Sequence, residues 1–264
     1  MGSATRGALA AARAELSSLG KVDLAMAEEL FSAGRIINES SQLVSILTDP
    51  SVAAARKQQA LEAVFGDGLG AKSLTLLGVV VSHSWSRQDD LLAAIEELGL
   101  RAAAESAPAS ANIDGELFAF GAAVSSDAAL ELAVGSKLGG VDSKLALIDS
   151  LLAKKVTAQT LAIVRHLVQQ PRGRRIGELL NTAASIVADQ AGLSLATVTS
   201  ATPIAPEQLG RLQQGLAKSF GRELKINLIV DPDIIGGLRV QVGDDVIDGS
   251  VASKLKELRL QLAR

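Results

Sequence analysis

The spacing of apolar residues changes once along this chain, and that change limits which architectures it can adopt. Up to about Gly192 apolar side chains recur at steps of three and four; beyond it short alternating runs appear between helical ones. Steps of three and four stack side chains on one face of an α-helix, whereas strict alternation lines one face of a strand. The expected fold class is therefore mostly α. It has an N-terminal helical bundle (residues 1–105), a second, partly duplicated helical unit (106–192) and a small α+β C-terminal module (193–264). Apolar residues make up 48% of the 264, enough to build a core in each part.

Within the first part, Leu9, Ala12, Leu16 and Leu19 share a helical face over Thr5–Leu19, and Leu24, Ala27, Leu30, Phe31, Gly34 and Ile37 share one over Asp23–Ile37. Asp49-Pro50-Ser51 is expected to open a helix, because proline lacks only an N–H that would be unpaired in the first turn. That helix should turn Leu61, Val64 and Phe65 inward and end at Gly66-Asp67-Gly68. Apolar helices are expected from Lys72 to His83 and from Asp89 to about Ala104. The small, polar, proline-containing run "AESAPASANIDG" then marks a joint.

Past that joint the pattern recurs. A shift of 87 residues carries Glu29-Leu30-Phe31 onto Glu116-Leu117-Phe118, Gly34 onto Gly121, Lys57 onto Lys144 and Leu74 onto Leu161. Leu61 and Glu62 fall on Ile148 and Asp149 with no gap. The shared apolar phase, more than the few identities, argues for a duplicated helical unit.

After Gly192 the expected order is a strand over Leu193–Thr202, a helix opened by Pro206, strands around 224–230 and 238–242, and a turn at Gly243-Asp244-Asp245. A last helix is capped by Ser250. Its Val251, Leu255, Leu258 and Leu262 form one face, and Lys254, Lys256 and Arg259 lie largely on the other.

Few side chains could do chemistry. There is no cysteine, which removes disulfides, thiol nucleophiles and thiolate metal sites. The two histidines, His83 and His166, have no acid at triad or metal-ligand spacing. Gly236-Gly237 precedes a strand rather than a helix and lacks the lysine of a phosphate-binding loop, so a bend or close backbone approach is expected there. Asp244, Asp245 and Asp248 do not match a calcium loop and read as a solvated turn. The densest basic spot, "PRGRRIG", is expected to cap a helix end or meet an acidic partner. No catalytic residue, cofactor or metal is expected. Net charge −3 and 2% aromatics give no footing for nucleic acid, and no apolar run approaches the ~20 residues of a spanning helix.

The closing string "DPDIIGGLRVQVGDDVIDGSVASKLKEL" closely resembles the C-terminal signature of the δ subunit of F-type ATP synthases, the family of the mitochondrial oligomycin-sensitivity-conferring protein. "ATVTSATPIAPEQLGRLQQGL" resembles the strand and helix before it, and "LTDPSVAAARKQQALEAVFGD" resembles the family's helix with an inward lysine-leucine-phenylalanine pattern. Residues 106–192 depart from the usual member, which has one bundle. The resemblance implies a non-catalytic stator subunit, peripheral on the cytoplasmic face of the bacterial cell membrane through its complex, with no direct insertion. Its implied partners are the N-terminal helix of an α subunit in the α/β head and a b-type stalk subunit. An α-subunit helix would be held in a groove for which Leu9, Ala12 and Leu16 with Leu74, Leu77 and Val81 are the candidate residues. Lys254, Lys256 and Arg259 would face the stalk. For each, an ordinary core position or a solvated face remains the alternative, and a small-molecule-sensing protein with a C-terminal ligand module remains the alternative function.

Overall fold

The computed structural model describes residues 2–66, 68–136, 139–232, 234–243 and 245–251. It divides into two compact units, Met1–Val187 and Ala188–Arg264.

The first unit is entirely helical. It contains α1 (Ser3–Ser18), α2 (Leu24–Glu39), α3 (Ser41–Thr48), α4 (Ala54–Phe65), α5 (Ala71–Ser82), α6 (Gln88–Glu105), α7 (Ile113–Ser126), α8 (Ala128–Gly135), α9 (Val141–Leu152), α10 (Ala158–Gln169) and most of α11 (Ile176–Gln190). Local chemistry sets several of the starts. Asp23 accepts from Met26 N, Ser40 from Leu43 N, Asp127 from Ala129 N and Leu130 N, and Thr157 from Thr160 N. Each pairs an amide that the first turn would leave orphaned.

The expected helix positions hold, with three differences. Asp49-Pro50-Ser51 does not open α4: Asp49 closes α3, its carboxylate accepts from Ser51 N and Oγ, and the helix begins later, at Ala54. A short aspartate side chain bound to the amide two residues on favours a turn over a first helical turn. Val64 is 49% exposed, while Lys57, Leu61 and Phe65 turn inward at steps of four. The third difference is α3 itself, whose eight residues are too few for its period to stand out.

Two glycines let α2 and α6 cross closely. A Cβ on Gly34 would lie 3.3 Å from Ile95 Cγ2, and one on Gly99 would lie 2.5 Å from the Phe31 ring. α6 is consequently buried along nearly its whole length, from Asp90 to Ala103.

A shift of 87 residues carries α3, α4 and α5 onto the bounds of α8, α9 and α10 to the residue, from Ser41 on Ala128 to Ser82 on Gln169. Polar detail follows the same shift. Glu29 Oε2 accepts from Gly70 N and Ser73 Oγ; Glu116 Oε2 accepts from Thr157 N and Thr160 Oγ1. Each carboxylate thus holds the start of a helix whose amides carry partial positive charge. Lys57 and Lys144 are both buried, and Lys144 Nζ donates to Ser136 O.

The second unit begins with the last turn of α11. It then holds β1 (Ser194–Ser200), α12 (Pro206–Phe220), β2 (Leu224–Val230), β3 (Leu238–Val242) and β4 (Asp245–Asp248), in sheet order β2-β1-β3-β4. β1 and β2 are parallel across α12, as a βαβ crossover requires, and β3 and β4 pair antiparallel. Ala196, Val198, Leu216, Leu224 and Val240 form its core, with Leu212 and Phe220 of α12 packed against it.

Candidate partner-docking site

Helices α1, α5 and α6 build the region where the candidate groove residues fall. Thr5 Oγ1 donates to Asp90 Oδ2 at 2.6 Å and accepts from Ser86 N, and Arg13 Nε donates to Glu97 Oε1 at 2.7 Å. These bonds fix α1 along α6. Leu9, Ala12 and Leu16 of α1, and Leu77 and Val81 of α5, are all buried in the bundle core. A helix arriving from outside would touch them only if α1 moved. Leu74 differs: it is half-exposed and lines an open cleft of about 430 Å³ between α4 and α5. The sequence reading missed the other walls of this cleft, among them Gln58, Glu62, Gly78 and Val79. Only Gly78 left a trace in the sequence, as a missing side chain on an otherwise apolar helix. His83 caps α5, its Nδ1 2.8 Å from Val79 O, as a histidine at a helix end.

A second polar cluster lies where α10 meets α2 and α6. Glu96 accepts from Arg172 Nη2 at 2.9 Å and from Arg174 Nη1 and Nη2 at 2.8 and 2.7 Å. The basic run therefore finds its acidic partner inside its own unit. Arg172 reaches it from a left-handed backbone, φ 47°. His166 is buried, stacked on Phe31 with ring centroids 4.1 Å apart, and Arg35 Nη1 is 3.4 Å from its Nδ1. Burial would raise the Glu96 carboxyl, but its bonds and the charges of Arg172 and Arg174 outweigh that and hold it well below the usual carboxylate range. His166 Nε2 stands 3.6 Å from Glu96, beyond hydrogen-bond length, so the arginines carry most of this hold. Burial lowers the His166 pKa; Glu96 pulls it up, while Arg35 and Arg172 push it further down.

This has a pH consequence. A histidine lowered in the folded state stays neutral while its unfolded counterpart takes up a proton near pH 6.5. Its contribution to stability is thus complete above about pH 6.5 and is lost as pH falls towards the folded value. Glu96 adds its own loss only below its unfolded pKa of about 4.3. Melts followed by the fluorescence of Trp85, the one tryptophan, should show the first unit less stable at about pH 5.5 than at about pH 7.5. His166→Gln should flatten that difference; an unchanged difference would assign it to other groups.

In the second unit, Gly236 and Gly237 have φ of 65° and 83°, and a Cβ on Gly237 would overlap Gly249 O and lie 2.9 Å from Ser250 Cα. The glycine pair is a close backbone approach, as expected, and Gly249 N donates to Leu238 O beside it. Asp245 and Asp248 lie on an exposed edge strand, while Asp244 falls outside the described residues. Lys254, Lys256 and Arg259, with Leu255, Leu258 and Leu262, also lie outside the described residues. Among the described residues no group of three His, Asp or Glu could hold a metal, and no single helix is long and apolar enough to cross a membrane.

Comparison with known proteins places this architecture. Residues 97–262 match the family model described as ATP synthase delta (OSCP) subunit. The ATP synthase subunit delta of Leifsonia xyli subsp. xyli is 53% identical over 264 residues, covering all of both chains. That of Streptomyces griseus subsp. griseus is 38% identical over 270 aligned positions, again covering all of both chains. A chain of the Toxoplasma gondii mitochondrial ATP synthase hexamer covers 64% of this one and 96% of its own length, at 18% identity and a TM-score of 0.42, too loose a likeness to bear on function. The family model runs through residues 106–192, the stretch expected to depart from it, and leaves residues 1–96 outside; the two bacterial relatives, matched end to end, share that additional length. The chain belongs to the ATP synthase delta (OSCP) family, and is a stator subunit of that enzyme, structural rather than catalytic.

Proposed function

We propose that this subunit ties the catalytic α/β head to the b-type stalk, so that rotor torque drives ATP synthesis and proton transport instead of turning the head. The end-to-end match to bacterial delta subunits carries this reading. The chain would lie at the cytoplasmic face of the cell membrane, held there by its complex. In this reading residues 1–105 receive the N-terminal helix of an α subunit, and residues 193–264 engage the stalk, with Lys254, Lys256 and Arg259 as the charged contacts. Leu9, Ala12, Leu16, Leu77 and Val81 support the receiving bundle from within, and Leu74 faces its open side.

Residues 106–192 are a second, partial copy of the bundle. The repeated helix bounds and the paired Glu29 and Glu116 supports favour this. The shift that relates the copies carries α1 onto residues 90–105, inside α6. The second copy therefore uses α6 as its first helix, which accounts for a helix buried on nearly every side. Overlapping copies that share a helix cannot hinge freely, a useful property in a part that must transmit force.

Co-sedimentation of the intact chain with ATP synthase heads stripped of their own delta subunit should show saturable binding near one chain per head. A folded chain that does not bind would overturn the stator reading.

A further inference from the structure

The duplication supplies an internal control for polar residues, and it singles out one cluster at the seam between the copies. Where α2 crosses α10 a cavity of about 170 Å³ opens. Phe31 and Arg35 of α2 line it with Arg165, His166 and Gln169 of α10, and Glu28 also lies on its wall. The shift of 87 residues puts Ala122, Gly78, Val79 and Ser82 in the places of Arg35, Arg165, His166 and Gln169. The helical fold therefore does not require polar groups at these positions. All four occur together only where the copies meet.

Their charges are not balanced from within. Arg35 is half-buried and has no ion pair among the described residues. Its Nη1 stands 3.4 Å from His166 Nδ1. A guanidinium can only donate, so Nδ1 accepts and the imidazole is the neutral Nε2–H tautomer. The contact orients Arg35 without neutralising it. Burial disfavours the Arg35 charge, and the opposing pull comes from Glu39, one turn further along α2. Glu39 is exposed, and a solvated carboxylate offsets little of a half-buried charge. Across the cavity Arg165 binds Asp149 through Nε and Nη2, each at 2.7 Å, which leaves Nη1. Glu28 acts on Arg165 from an exposed position in the same way. The Gln169 amide has no partner among the described residues.

We propose that the α2/α10 cavity binds a small oxyanion of the inorganic phosphate class, held between Arg35 and Arg165 with Gln169 as a neutral donor. Guanidinium groups present planar forks of N–H donors that match the oxygens of such an ion. The bound ion neutralises the half-buried charge of Arg35 and bridges α2 to α10, adding a link between the copies beside the Glu96 cluster. The volume falls below the ~300–1,000 Å³ typical of pockets for larger ligands, which favours a free ion over a nucleotide. This site does not depend on how the chain meets the rest of the enzyme.

The test uses the intact chain. Inorganic phosphate is titrated against potassium chloride at matched ionic strength, with binding read from the phosphorus NMR line width and stability from Trp85 melting. Wild type should bind saturably, near one ion per chain. At about ten times Kd its melting midpoint should rise by about 3–6 °C. Arg35→Gln and, separately, Arg165→Gln remove one charge each and should weaken phosphate by about tenfold or more. They lie on different helices, so either one decides if the other fails to fold. Arg56→Gln, at an exposed position of α4, should bind as wild type does. Absence of saturable binding by wild type would overturn the site. So would an equal rise of the midpoint in chloride, unchanged binding in the folded variants, or tighter binding of adenosine diphosphate than of phosphate. All these outcomes leave the stator reading to its own test with stripped heads.

Discussion

Replacing Gly237 by alanine should unfold the C-terminal unit and leave the helical unit intact. Gly237 combines a left-handed backbone, φ 83°, with a neighbouring strand-end backbone that comes inside the contact distance of any Cβ. The left-handed conformation costs a non-glycine residue about 1–2 kcal/mol, and forcing extra volume against backbone that cannot swing aside adds about 1–3 kcal/mol. The obstacle is the Gly249–Ser250 main chain, held by Gly249 N donating to Leu238 O and Val251 N donating to Gly236 O. It cannot rotate away as a side chain would. The sheet core of the unit is built on five buried apolar side chains among the described residues, and cores of this size rarely supply more than about 3–5 kcal/mol. A loss of about 3 kcal/mol therefore removes most of the margin. Hydrogen exchange should show protection lost across β1, β2 and β3. Trp85 sits in the other unit, buried with Nε1 donating to Val80 O, so its melting curve should not move. Protection retained in the sheet would show that the Gly249–Ser250 segment yields to a methyl group at Gly237.

That glycine pair was legible in the sequence because alternation, turn residues and a break lay side by side within one short string. The helical phase of Leu9, Ala12 and Leu16 was legible for the same reason: local periodicity reports burial. It does not report what does the burying. A side chain covered by its own bundle and one covered by a partner have the same spacing, which is why five of the six groove candidates lie in the bundle core while Leu74 alone opens on a cleft. Val64 reads as inward from its neighbours, yet Phe65 takes the inward place and leaves Val64 outside. Long-range polar partners left no local trace. Glu96 and Glu97 look like an exposed pair on a helix until Arg172 and Arg174 close on the first and Arg13 on the second. The buried lysines were partly visible, since Lys57 and Lys144 coincide in the repeat and lie in phase with Leu61 and Ile148.

Glu96 sits at the seam that fastens the later copy to the earlier one, and its removal should loosen that seam more than any loss of a single apolar group there. Glu96→Ala leaves Arg172 and Arg174 facing each other, with Arg35 close by at His166 and no carboxylate between them. Removing one partner of a buried ion pair costs about 3–5 kcal/mol, because the charge left behind has neither water nor a counterion. The Arg172 side chain is 14% exposed and that of Arg174 32%, so both can turn partly to solvent, which puts the loss at the lower end, about 3 kcal/mol. In a unit of this length each kcal/mol shifts the midpoint by about 2–4 °C, so Trp85 melting should move down by about 6–12 °C. Glu96→Gln keeps the shape and an acceptor but not the charge, and should fall between Glu96→Ala and wild type. Replacing Arg172 and Arg174 by methionine together with Glu96→Gln should recover part of the loss, since no charge is then left buried. A Glu96→Ala variant with wild-type melting would mean the arginines reach solvent without cost. The α2–α10 packing, with Phe31 on His166, would then hold the two copies together unaided.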